Sequence, residues 1–78
     1  MIDVTIQMDA MGNLQIWKGK VQPHRVAKYV WVADGRECDL FVQDHSRKTD
    51  ILDSLSESEF REVNSGWHCY TVLEPEYF

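Results

Sequence analysis

From Ile2 to Asp9 the chain alternates apolar and polar residues, with Ile2, Val4, Ile6 and Met8 set against Asp3, Thr5, Gln7 and Asp9. A period of two held over eight residues predicts a strand with one buried face. Gly12-Asn13 supplies a turn signal, and Leu14 to Lys18 then resumes with Leu14 and Ile16 on one face and Trp17 on the other. The two runs read as a hairpin with a longer loop. Gly19 interrupts the second run and Pro23 cannot donate to a ladder, so Val21 to His24 is expected to be a connection or an edge.

The strongest pattern lies between Val26 and Gln43, where two runs rich in β-branched and aromatic residues flank Asp34-Gly35. That dipeptide suits a type I′ turn, whose two central residues both need positive φ. A two-residue loop sets Ala33 opposite Arg36, and the pairs Trp31 with Cys38, Tyr29 with Leu40 and Ala27 with Val42 follow on one face. So apolar a face assigns Trp31 and Tyr29 to the core rather than to a ligand platform. The other face pairs Val32 with Glu37, Val30 with Asp39 and Lys28 with Phe41, with Lys28 diagonal to Asp39 for a weak charge contact. Left uncovered, Val30, Val32 and Phe41 would offer an apolar patch to a partner or to a second copy of the chain.

Asp44 to Lys48 reads as a polar loop. Ile51, Leu52 and Leu55 share a helical face, but their run is short for an independent helix. The next stretch is better marked: Ser56 and Glu59 have capping-box spacing, Leu55 and Phe60 the spacing of a hydrophobic staple, and Gly66 suits an αL stop. A helix is predicted from Glu57 to Asn64, with Phe60 and Val63 toward the sheet and Glu57 and Glu59 at the positive end of its dipole. Trp67 to Leu73 is apolar on both faces, which predicts an interior strand. Residues 74 to 78 are expected to form a flexible tail after Pro75, with Tyr77 and Phe78 either docked on the core or presented to a partner. The fold class is α+β: one domain spanning 1–78, an antiparallel sheet of about five strands, and one short helix before the last strand.

Composition narrows what such a domain does. At 78 residues it buries only roughly 60% of the surface its unfolded chain exposes, yet 44% hydrophobic content is enough for a core rather than disorder. No apolar run approaches the ~20 residues of a membrane span, so a cytoplasmic protein with no membrane partner is expected. Cys38 and Cys69 lie in apolar runs and are expected reduced and buried; a bridge would need their strands to be neighbours. The net charge of −5 is unevenly spread. Residues 1 to 43 balance, whereas residues 44 to 78 hold Asp44, Asp50, Asp53, Glu57, Glu59, Glu62, Glu74 and Glu76 against Arg47, Lys48 and Arg61. That field repels phosphate and makes nucleic acid an unfavourable partner for this half.

No catalytic, cofactor-binding or metal-ligating set emerges. His24, His45 and His68 are scattered without metal-site spacing, and His68 and Cys69, adjacent on a strand, point to opposite faces. The four glycines are isolated and form no phosphate loop. The expectation is a non-enzymatic, acidic protein-interaction module acting as adaptor, inhibitor or regulatory subunit. In its sharper form Asp50, Asp53, Glu57, Glu59 and Glu62 make one ridge that engages a basic partner surface, imitating a phosphate backbone and weakening with salt. The alternatives are a single-strand nucleic-acid binder using Trp17, Lys18, Lys20 and Arg25 of segment 17–28, and a small self-associating protein, such as a homodimer.

Overall fold

The computed structural model describes the whole chain except Ala10, Ser54, Asn64, Ser65, Pro75 and Tyr77, with Phe60 described by its backbone alone. Six strands and two helices follow in the order β1 (Ile2–Met8), β2 (Leu14–Lys18), β3 (His24–Ala27), β4 (Val30–Val32), β5 (Leu40–Val42), α1 (His45–Leu52), α2 (Glu57–Glu62) and β6 (Trp67–Val72). The α+β class and the antiparallel pairing stand, but the sheet divides. Four strands pair in the order β5-β2-β1-β6, while β3 and β4 form a separate two-stranded sheet. No described helix is long and apolar enough to cross a membrane.

The alternation of β1 places Val4 and Ile6 on one face, and the register sets Ile6 beside Ile16, Met8 beside Leu14 and Val4 beside Tyr70. α1 joins this face through Ile51 and Leu52, and Val63, which follows α2, joins it beside them. Val4, Ile6, Leu14, Ile16, Leu40 and Val42 join Ile51, Leu52, Val63 and Val72 in a single cluster. Burial of one such side chain stabilises by about 1.5–3 kcal/mol, so this layer dominates the fold.

The expected hairpin of Val26 to Gln43 is only half correct. Asp34 and Gly35 do take positive φ, 52° and 75°, and Ala33 and Arg36 exchange both backbone hydrogen bonds, at 2.9 and 3.1 Å. Pairing then stops after that one bridge. The Asp39 amide donates to the Ile16 carbonyl at 2.9 Å, and Leu40, Phe41 and Val42 pair with Ile16, Gln15 and Leu14. Leu40 and Val42 thereby cover the apolar side of β2, a larger burial than the small hairpin offers. Val26 and Ala27 turn back at Lys28-Tyr29 onto Val30 to Val32, with a slip of register between Arg25 and Ala27. Trp31 therefore faces Arg25 instead of Cys38, and Tyr29, assigned to the core by the expected register, is 51% exposed. Lys28 does not meet Asp39, whose carboxylate pairs with Arg36.

The segment read as a polar loop is mostly helix. Asp44 caps α1, its side chain accepting from the backbone of Ser46 at 2.8 Å and Arg47 at 3.2 Å. Lys48 ties the helix to the first turn by donating to the Gly12 carbonyl. α2 begins where predicted, with the capping box of Ser56 and Glu59 formed in both directions, and Val63 fully buried at its end. The Phe60 side chain of the expected staple and the predicted helix end at Asn64 lie outside the described residues. Gly66 has φ +147°, positive but far from the αL value. β6 is an edge strand rather than an interior one, bonded only to β1 among the described strands. Its exposed side leaves Cys69 in solvent, contrary to the expected burial. At the terminus Phe78 is partly buried against the main cluster, with Lys18 Nζ 4.9 Å from its ring centroid; Tyr77 lies outside the described residues.

Candidate functional site

The second face of the main sheet is built from the residues that alternation marks as polar. Thr5, Gln7 and Gln15 are 0, 2 and 4% exposed, and Trp17 is fully buried beside Thr5. The chain crosses this face after β2, and Thr5 holds the crossing: its hydroxyl donates to the Gly19 carbonyl at 2.8 Å and accepts the Val21 amide at 3.0 Å. Trp17 donates its indole N–H to the Arg36 carbonyl at 3.3 Å, and with Val21 and Ala33 it forms a second small cluster onto which Trp31 and Cys38 pack. Gln7 has no such support. It lies in the ladder between Trp67 and Gln15, and among the described residues neither its Oε1 nor its Nε2 meets a hydrogen-bond partner.

Between this face and the β3–β4 hairpin a cavity of about 110 Å³ remains open to solvent. Gln15 and Phe41, neighbours across β2 and β5, belong to its sheet side. Tyr29, Val30 and Trp31 line it from the hairpin, and Glu37 and Cys38 from the segment after the Asp34-Gly35 turn. Three aromatic rings, one carboxylate and one amide therefore meet in a space too small for a whole metabolite. Burial pushes the Cys38 thiol above its ordinary range, outweighing backbone contacts at Ile16 that pull it down, and the Glu37 and Asp39 carboxylates add to the rise. Both cysteines are unbridged. The Cys69 sulfur lies 3.3 Å from Thr5 Oγ1.

No family model, curated protein or solved structure matches the chain. The site is therefore read from its own residues. Among the described residues no three His, Cys, Asp or Glu side chains gather to hold a metal ion.

Of the apolar patch expected on the outer hairpin face, Val30 and Phe41 do come together at the cavity, although from two different sheets. Val32 does not line it; it is partly buried in β4 opposite His24. Three residues of the acidic ridge have partners within the chain. Glu57 pairs with Arg61 at 2.7 Å, Glu59 completes the cap of α2, and Glu62 accepts from the Tyr70 hydroxyl at 2.9 Å. Asp50 and Asp53 are exposed at the far end of α1. Trp17, the base-stacking residue of the nucleic-acid alternative, is 0% exposed and cannot reach a base. Pattern reading missed Gln15, Tyr29, Trp31, Glu37 and Cys38 as a group. One signal for them was present, the excess of aromatics within Tyr29 to Phe41, but the expected register sent Tyr29 and Trp31 to the core and only Phe41 to the outer face.

Proposed function

We propose that this chain is a small protein-interaction module, serving as an adaptor, inhibitor or regulatory subunit, and that its contact surface is the cavity between the β3–β4 hairpin and β5. The observation that carries this reading is the pairing of two large exposed side chains at one cavity: Tyr29 is 51% and Phe41 45% exposed, and both line it. Solvent-exposed aromatics grouped at a concavity are the composition of a contact centre, where Tyr, Trp and Phe are enriched. A volume near 110 Å³, against the ~300 Å³ or more of small-molecule sites, favours the insertion of one side chain of a partner over turnover of a substrate. The two free thiols fit a reducing compartment such as the cytoplasm.

Selection of peptides from a displayed random library against the wild-type chain tests the reading. Selected peptides are expected to lose at least roughly tenfold in affinity for a Tyr29→Ser, Phe41→Ser double variant, since interface hot spots are aromatic and cost 2 kcal/mol or more when truncated. Peptides that bind the double variant equally well, or a library that yields no binder, would remove this surface from consideration.

A further inference from the structure

We infer that the cavity takes a methylated ammonium group, and that the partner presents it as the side chain of a methylated lysine. This rests on the interaction reading above and names the chemistry that it would recognise. Tyr29, Trp31 and Phe41 line one space, and Glu37 lines it with them. Aromatic faces attract cations through their quadrupoles, most strongly where water is excluded. In this molecule two of the three rings already do so: Arg25 Cζ stands 5.9 Å from the Trp31 centroid and Lys28 Nζ 5.4 Å from that of Tyr29. Neither basic side chain lines the cavity, so the cavity itself is not filled by a cation of the chain.

The lining also discriminates among cations. A bare ammonium has three N–H donors and a guanidinium five, whereas the side-chain acceptors of the lining are chiefly the Glu37 carboxylate, the Gln15 amide oxygen and the Tyr29 hydroxyl. A guanidinium would bring more donors than these acceptors take up, and a bare ammonium, strongly hydrated in water, would exchange part of that hydration for rings and Val30. Trimethylation removes the donors, keeps the charge and enlarges the apolar surface, which suits rings and Val30. The size agrees: about 110 Å³ is the share of roughly four waters, the scale of one small head group on a chain. A polypeptide is the favoured source because the cavity opens beside the exposed side chains of Tyr29 and Phe41, which offer apolar area to the residues flanking a modified lysine.

The test is a titration of the isotope-labelled protein, followed at the Trp31 indole and Gln15 side-chain amide resonances. The probes are a Gly-Gly-trimethyllysine-Gly-Gly peptide, the same peptide with unmodified lysine, the same with a neutral tert-butyl isostere of the trimethylammonium, and choline chloride. The trimethyllysine peptide is expected to bind roughly tenfold tighter than the neutral isostere and than unmodified lysine. Tyr29→Leu and Phe41→Leu, which keep apolar bulk but lose the ring, are each expected to weaken it about tenfold, and Glu37→Gln about threefold. All three positions are exposed, so unchanged thermal melting identifies folded variants; Trp31 is left intact because it packs on the Trp17 cluster. Equal affinity for the isostere overturns the cation inference while leaving an apolar interaction surface standing. Equal binding of unmodified lysine overturns the preference for methylation, and tighter binding of choline overturns the polypeptide source. Absence of any shift up to tens of millimolar overturns the inference outright, and the library selection then decides the interaction reading by itself.

Discussion

On one face of the β5-β2-β1-β6 sheet, Val4, Ile6, Leu14 and Ile16 are fully buried and share a cluster with Ile51 and Leu52 of α1 and with Val63. On the other, the same strands present Thr5, Gln7, Gln15 and Trp17 to a short hairpin that leaves a cavity beside Phe41. The first face is closed by area and shape alone. The second is closed by particular hydrogen bonds, those of Thr5 and Trp17, and where these end the polar groups are either orphaned, as in Gln7, or open to solvent. A single small sheet thus has one side closed over a continuous apolar cluster and another that leaves a cavity open to solvent.

The sharpest way to break this comparison is to truncate one residue from each face. Ile16→Ala, on the helix side, is expected to lower unfolding free energy by about 2–5 kcal/mol, the range for a buried aliphatic. Phe41→Ala, at the next ladder position but 45% exposed, is expected to cost less than about 1 kcal/mol. Urea unfolding of both variants measures the difference. Equal losses would mean that the cavity side is as much a part of the core as the helix side.

How far these faces could be read beforehand follows the same division. The helix side was legible because Ile2 to Met8 and Leu14 to Lys18 alternate cleanly, and α2 because Ser56 and Glu59 form a cap whose partners lie three residues apart. Such signals are local, and local signals survive in the fold. The cavity side depends on a turn at Lys28-Tyr29, where neither residue has positive φ and no Gly or Asn announces it. The Asp34-Gly35 turn was real, yet its pairing ends after one bridge, because Leu40 and Val42 gain more by joining β2. A choice between two partners distant in sequence leaves no mark in either strand. Asp44 shows a smaller failure of the same kind: it caps α1 with its own side chain, but Ser46 to Lys48 looks like a loop when the burial of Ile51 and Leu52 is unknown.

A second test sharpens the comparison at the orphaned amide. Gln7 is 2% exposed, and among the described residues both polar atoms of its side chain lack partners, a condition that costs about 1–3 kcal/mol. Gln7→Met conserves the shape and removes both polar atoms. It is expected to raise stability by about 1 kcal/mol in urea unfolding, whereas most substitutions at buried positions lower it. A loss of stability would mean that the second face tolerates its polar groups no worse than the first would.

The smallest expected effects come from titration, where Asp39 on one side of the sheet and Tyr70 on the other are shifted in opposite directions. Asp39 sits at the hairpin side, accepting from the Lys18 amide at 2.7 Å and from Arg36. Burial alone would raise its carboxyl, but the Lys18 N–H and the Arg36 guanidinium together outweigh it and hold the group below its ordinary range. A carboxyl lowered by folding contributes stability above its unfolded value, about pH 4, and that contribution disappears as pH falls through the lower folded value. Tyr70, at the helix side, is shifted the other way: burial, then its hydrogen bond to Glu62 and the charge of that carboxylate, push the phenol up. A phenol raised by folding contributes fully below its unfolded value, about pH 10, and the contribution disappears as pH rises beyond it. Urea unfolding of wild type, Asp39→Asn and Tyr70→Phe across pH 2 to 11 separates the two. Asp39→Asn is expected to flatten only the acid limb and Tyr70→Phe only the alkaline one, by small margins, since Arg36 and Asp39 are 41 and 30% exposed and solvent screens the pair. If either substitution altered both limbs, the two faces would be coupled through the sheet, and the contrast between a closed face and an open one would have to be given up.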